Sequence, residues 1–101
     1  MNFGGLQMWL RPYAQYLYDT CNQYGQRPRV TSVYRSPAKQ RILYERYIRG
    51  ESSLPAAPPG KSKHQFGLAF DMVTEDPDAV GAFWKQMGGK WWASDPVHFE
   101  V

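Results

Sequence analysis

The chain has 101 residues, 43% of them apolar and 16% aromatic, with a net charge of +3. That length makes one compact domain able to bury roughly two thirds of its unfolded surface, and that composition excludes a disordered chain. A single cysteine excludes an internal disulfide and a cysteine-based zinc site, and no apolar run reaches the length of a membrane span.

Leu6, Trp9, Leu10, Tyr13, Leu17, Cys21 and Tyr24 recur at helical spacing. Pro12 places the start of the main helix after a short turn, with Cys21 in its core. "RVTSVY", 29 to 34, is rich in β-branched residues and reads as a strand. Ser36 and Pro37 then open a helix that runs to about Arg49 and stops at Gly50. Residues 51 to 63, "ESSLPAAPPGKSK", form a loop longer than a mere connection, and loops of this kind are often functional. A strand is predicted over 66–73. Asp76 and Pro77 cap a third helix carrying Val80, Phe83, Trp84 and Met87, which ends at Gly88-Gly89. "KWW", 90 to 92, begins another strand, and "VHFEV", 97 to 101, is the last. No repeat and no internal boundary is visible, so residues 1–101 are expected to form a single domain. Its class is α+β: a small antiparallel sheet packed with about three helices.

The chemistry concentrates on two of these strands. In "SKHQFGLAFDM", 62 to 72, alternation puts Phe66, Leu68, Phe70 and Met72 on one face and Gly67, Ala69 and Asp71 on the other. The bulky face reads as core. The small face leaves a hollow ending on a carboxylate. His64 lies an odd number of residues from Asp71, so Gly67 or the loop before it must turn the chain. In the last strand Val97, Phe99 and Val101 share an apolar face, and His98 and Glu100 share the other. Asp95 lies three residues before His98, with Pro96 stiffening the link. His64, Asp71 and His98 are thus three candidate ligands of nitrogen, oxygen and nitrogen type, the usual protein share of a catalytic zinc site. Asp95 is a candidate to take a proton from the water of such a site, whose pKa zinc lowers to roughly 7. Each residue also has an ordinary role open to it: a surface histidine, a turn-capping Asp71, an Asp95-Pro96 turn opening, a solvated Glu100, a solvated Arg35. The "KWW" rings either stack on sugars or finish the core.

Taken together, these segments resemble a known family. "SKHQFGLAFDM" is similar to the Ser-x-His-x-x-Gly-x-Ala-x-Asp signature of the D-alanyl-D-alanine metallopeptidases, and "DPVHFE" to their closing motif. "VYRSPAKQ" resembles their Tyr-Arg-Ser segment with a Gln a few residues on. The wider group holds peptidoglycan carboxypeptidases and dipeptidases, phage endolysin peptidases and the hedgehog signalling domain. The resemblance spans about residues 30 to 101. It implies zinc on His64, Asp71 and His98, Asp95 as general base and Arg35 as the cation stabilising the developing oxyanion. It also implies Arg35, Ser62 and Gln40 as substrate-binding residues. Asp95 followed by His-Phe-Glu is closer to the endolysin branch, which cuts between L-Ala and D-Glu, than to members trimming D-Ala, where the base is commonly glutamate.

The implied function is a zinc-dependent peptidase of peptidoglycan stem peptides, as an L-alanyl-D-glutamate endopeptidase. A D-alanyl-D-alanine carboxypeptidase is the alternative, and a non-catalytic module on the zinc fold is a third. Scattered basic residues and the lack of a stacking motif argue against a nucleic-acid partner. The N-terminus, "MNFGGLQMWLRP", has no basic region followed by an apolar one. Synthesis in the cytoplasm without a signal peptide is therefore expected, with action on the bacterial cell wall after release by phage lysis or from a virion. No membrane insertion, no attached cell-wall-binding domain and a monomer are expected.

Overall fold

Proline and short polar side chains set the helix starts. In the computed structural model, which describes residues 3–53 and 55–101, α1 spans Arg11–Gln23, α2 Pro37–Ile48 and α3 Pro77–Gln86. Each carries proline in its first turn, where the missing N–H costs nothing. Ser36 Oγ accepts from Lys39 N at 3.2 Å and Asp76 Oδ1 from Ala79 N at 3.2 Å, so α2 and α3 are capped as expected.

Three strands, β1 (Arg29–Ser32), β2 (Ala69–Val73) and β3 (His98–Glu100), form one antiparallel sheet with β2 in the centre. Phe70 pairs with Phe99, and their rings stack at 5.4 Å on the core face. Trp84 of α3 and Phe3 meet the Phe70 ring edge-on, at 5.5 and 5.4 Å. Leu10, Ala14, Leu17 and Cys21 close the core from the α1 side. The opposite face of the sheet carries Asp71 beside His98, and Ala69 beside Glu100. This is the expected α+β class. Among the described residues, no helix is long and apolar enough to cross a membrane.

Several details differ from the sequence reading. Trp9, Tyr13 and Tyr24 are exposed, because α1 packs through the narrower stripe of Leu10, Ala14, Leu17 and Cys21. β1 ends at Ser32 rather than 34, since the Val33 carbonyl turns to His64. The strand predicted over 66–73 begins at Ala69; before it lies a single 3-10 turn, Lys63–Phe66, closed by Gly67 in the left-handed conformation (φ 67°). Phe66 is consequently exposed and Leu68 half-buried, and neither belongs to the core face of the strand. Gly67 is small for another reason than a hollow. Its carbonyl accepts from Gln7 N at 3.0 Å, and a Cβ there would stand 3.0 Å from the Gly5 carbonyl oxygen. "KWW" makes only one bridge, Lys90 to Glu100, before Trp91 turns into the core and Trp92 to the surface. The last strand is 98–100, not 97–101. Leu54, within the predicted loop 51 to 63, lies outside the described residues, as do residues 1 and 2 of the N-terminal segment.

Candidate active site

His64 reaches the sheet because the chain turns just before β2. Ser62 Oγ accepts from His64 N at 3.2 Å and starts the 3-10 turn, and Gly67 ends it. This is the turn that the odd spacing between His64 and Asp71 demanded. His98 needs no such device, for it sits directly across from Asp71 in the antiparallel ladder. His64 Nε2 lies 3.1 Å and His98 Nδ1 3.2 Å from the same Asp71 oxygen, Oδ1. One ligand atom from each of the three falls within 4.8 Å of the others.

The far nitrogen of each imidazole is already engaged. His64 Nδ1 is 2.7 Å from the Val33 carbonyl, and His98 Nε2 is 2.8 Å from Glu100 Oε1. Carbonyl and carboxylate oxygens only accept, so these nitrogens carry the protons. The neutral rings then turn lone pairs toward Asp71 Oδ1, which is also an acceptor. Three converging acceptors are stable only around a positive charge, whether extra protons or a cation. Burial works against charge at Asp71, yet the two imidazoles, once protonated on the nitrogens that face it, hold its carboxyl far below the usual range. Burial likewise works against a charged His98, yet Asp71 and Glu100 raise its pKa. Two imidazole nitrogens and a carboxylate oxygen fit a zinc ion by donor type, and an acceptor behind each ring fixes its orientation.

Arg35 follows β1 and lies along the same carboxylate. Its NH2 donates to Asp71 Oδ2 at 3.3 Å and to Ser32 Oγ at 3.1 Å, and NH1 donates to Gln40 Oε1 at 2.9 Å. Its buried Nε has no partner among the described residues. Gln40, fully buried on α2, donates in turn to the Ala57 carbonyl at 2.6 Å. The Gln40 amide thus links the guanidinium to the Pro/Gly/Ser loop. Asp95 stands in a tight turn: its backbone N–H donates to the Trp92 carbonyl at 3.1 Å, and its own carbonyl accepts from His98 N at 3.0 Å. Trp91 Nε1 holds the Pro96 carbonyl of that turn at 2.9 Å. Burial pushes the Asp95 carboxyl above its ordinary value, with the His98 attraction opposing and the Asp71 charge adding.

All seven residues singled out from the sequence, Arg35, Gln40, Ser62, His64, Asp71, Asp95 and His98, line one cleft of about 730 Å³. Cys21 is buried in the core instead, its thiol pushed up to about 11 by burial. The sequence reading missed Ser32, the Val33 carbonyl, and the bond from Glu100 to His98. Only Glu100 carried a visible signal, its shared strand face with His98. The cleft also exposes Trp92, Tyr47, Arg46 and Lys61.

The sheet carries Asp71 and His98, the 3-10 turn before β2 brings His64 beside them, and the half-buried Arg35 completes the group, a donor set of the kind that holds zinc in metallopeptidases. The chain belongs to the VanY family of D-alanyl-D-alanine carboxypeptidases, whose pattern matches residues 6–99. Its fold is shared with the vancomycin resistance D,D-pentapeptidase VanY of a VanB-type cassette, in complex with Zn(II): TM-score 0.72, 22% identity, covering 95% of this chain and 72% of that one. It is shared too with the LdcB LD-carboxypeptidase (TM-score 0.75, 18% identity, 95% and 58% covered). A third is the vancomycin resistance D,D-dipeptidase VanXYg, bound to a D-Ala-D-Ala phosphinate analogue (TM-score 0.74, 18% identity, 95% and 50% covered). The chain therefore spans between half and three quarters of the length of these structures. No curated protein sequence matches it.

Proposed function

We propose that this chain hydrolyses peptidoglycan stem peptides as a zinc peptidase, with His64, Asp71 and His98 as ligands. The observation that carries the reading is the convergence of three ligand atoms within 4.8 Å on the cleft that also holds Asp95 and Arg35. Zinc bound there would supply Lewis acidity and a water of lowered pKa. The chain's own residues do the rest. Asp95, its carboxylate made more basic by burial, takes the proton of the attacking water and hands it to the leaving amine. Arg35, held by Gln40 and Ser32, places a fixed cation beside the charge that develops on the scissile carbonyl. Ser62 and Gln40 line the cleft beside the peptide. A raised carboxylate and a half-buried guanidinium in one cleft favour this reading over a non-catalytic module.

The bond we assign is L-alanyl-D-glutamate, on the pattern Asp95-x-x-His98-Phe99-Glu100. The second reading is a D-alanyl-D-alanine carboxypeptidase, which the family match favours. Purified peptidoglycan incubated with the protein separates them. New D-glutamyl amino termini support the first reading and released D-alanine the second. Intact peptides after zinc loading would sink both. We take the partner to be the stem peptide, the site of action to be the bacterial cell wall, and the active form to be a monomer; nucleic acid has no place in this reading.

A further inference from the structure

We propose that Glu100 is a positioning residue for the metal site: it holds the His98 proton on Nε2, so that His98 offers Nδ1 to the metal while His64 offers Nε2. The inference rests on the reading that these residues hold zinc. Glu100 Oε1 lies 2.8 Å from His98 Nε2, a short contact that only a donated proton makes favourable. Its carboxylate has no other ion-pair partner among the described residues, and its side chain is only 14% exposed. A carboxylate so placed is held by the imidazole and in turn fixes the ring.

The surroundings are built for this contact. Glu100 on β3 stands directly opposite Ala69 on β2, which is fully buried and whose side chain is a single methyl. The Glu100 backbone is pinned three times: its carbonyl accepts from Lys90 N at 2.8 Å and Trp84 Nε1 at 3.0 Å, and its N–H donates to the Lys90 carbonyl at 3.2 Å. The two histidines are therefore braced unequally. His64 leans on a neutral carbonyl, His98 on a charge, so His98 is the more electron-rich ligand. Without Glu100 the His98 ring is free to swivel and loses basicity.

The test uses the full chain and zinc itself. Affinity is measured by competition with a chromophoric chelator, and the imidazole nitrogens of the zinc-loaded protein are read by 15N NMR. Glu100→Ala is expected to weaken zinc by about 10–100-fold, the usual scale for a lost second-shell partner. Glu100→Gln keeps an acceptor oxygen and is expected to recover much of that loss. In the wild type, His98 is expected to show a protonated Nε2 and a metallated Nδ1. Zinc affinity within twofold of wild type in Glu100→Ala, or a protonated Nδ1 on His98, overturns the inference. Should Glu100→Ala fail to fold, the wild-type spectrum decides alone. A wild type that binds no zinc overturns the metal reading, and this inference with it.

Discussion

Asp95 and His98 are three residues apart on one turn, yet the proposed function gives them different work, and substitution separates them. Asparagine matches the shape of Asp95 and serves a turn about as well. Asp95→Asn is therefore expected to fold and keep its zinc while turnover falls by roughly two to four orders of magnitude. Zinc content and rate measured on one preparation check this: lost metal would make Asp95 a ligand, and an unchanged rate would leave it structural. The pH profile follows from the sign of the shift. A base must be ionised, so activity falls as pH drops through the Asp95 pKa. Burial raises that pKa above its ordinary value in the metal-free chain, and the charge of a bound zinc would oppose the rise, so the position of the acid limb reads the balance of the two. Arg35→Ala is expected to lower turnover by roughly a hundredfold or more, with a smaller change in the Michaelis constant. A defect confined to the Michaelis constant would make Arg35 a binding residue only. Cys21, buried with its thiol pushed up to about 11, is expected to resist alkylation in the native protein and to react once unfolded.

At the level of elements, α3 supports the Asp95 turn from a distance. A Cβ on Gly81 would fall into the Trp91 ring, whose indole holds the Pro96 carbonyl. Gly81→Ala is thus expected to cost about 1–3 kcal/mol by overpacking. Thermal unfolding measures that cost, and turnover should drop further than in Ala82→Gly, a change on the same helix that inserts nothing. Equal activity in the two variants would uncouple α3 from the turn. The elements themselves were largely legible, because caps such as Ser36-Pro37 and Asp76-Pro77 act within a few residues. That His64, Asp71 and His98 come together was legible too, through two motifs with fixed spacing. The boundary of β2 was not. Gly67 reads equally as a small strand residue or a left-handed turn, and the choice is made by Gly5 and Gln7, some sixty residues away. The fates of Trp91 and Trp92 were hidden for the same reason, since the first ring enters the core over Gly81, where any Cβ would collide with it. Backbone partners such as the Val33 carbonyl have no side chain to announce them.

For the molecule as a whole, the proposed metal site joins two separate segments: the turn that runs into β2, and β3 beyond α3. Binding there stabilises the folded state alone, by about 2.7 kcal/mol when zinc is at a hundred times its dissociation constant. For a domain of this size that is a rise of roughly 10–20 °C in melting temperature. Calorimetry with and without a chelator checks it, and His98→Ala is expected to abolish the difference together with activity. An identical melting temperature in both conditions would deny the metal any structural share.

Between the neighbouring strands β1 and β2 the chain makes a long excursion through α2 and the Pro/Gly/Ser loop, and the loop is tied to α2 by Gln40 through the Ala57 carbonyl. Before His64 enters, this excursion has already built one wall of the cleft. Lengthening a flexible loop costs little, about 0.6 kcal/mol for each doubling. The fold is therefore modular for descent with modification: insertions among residues 50 to 61 can recast which peptides are admitted, while the sheet and its three ligands stay in register.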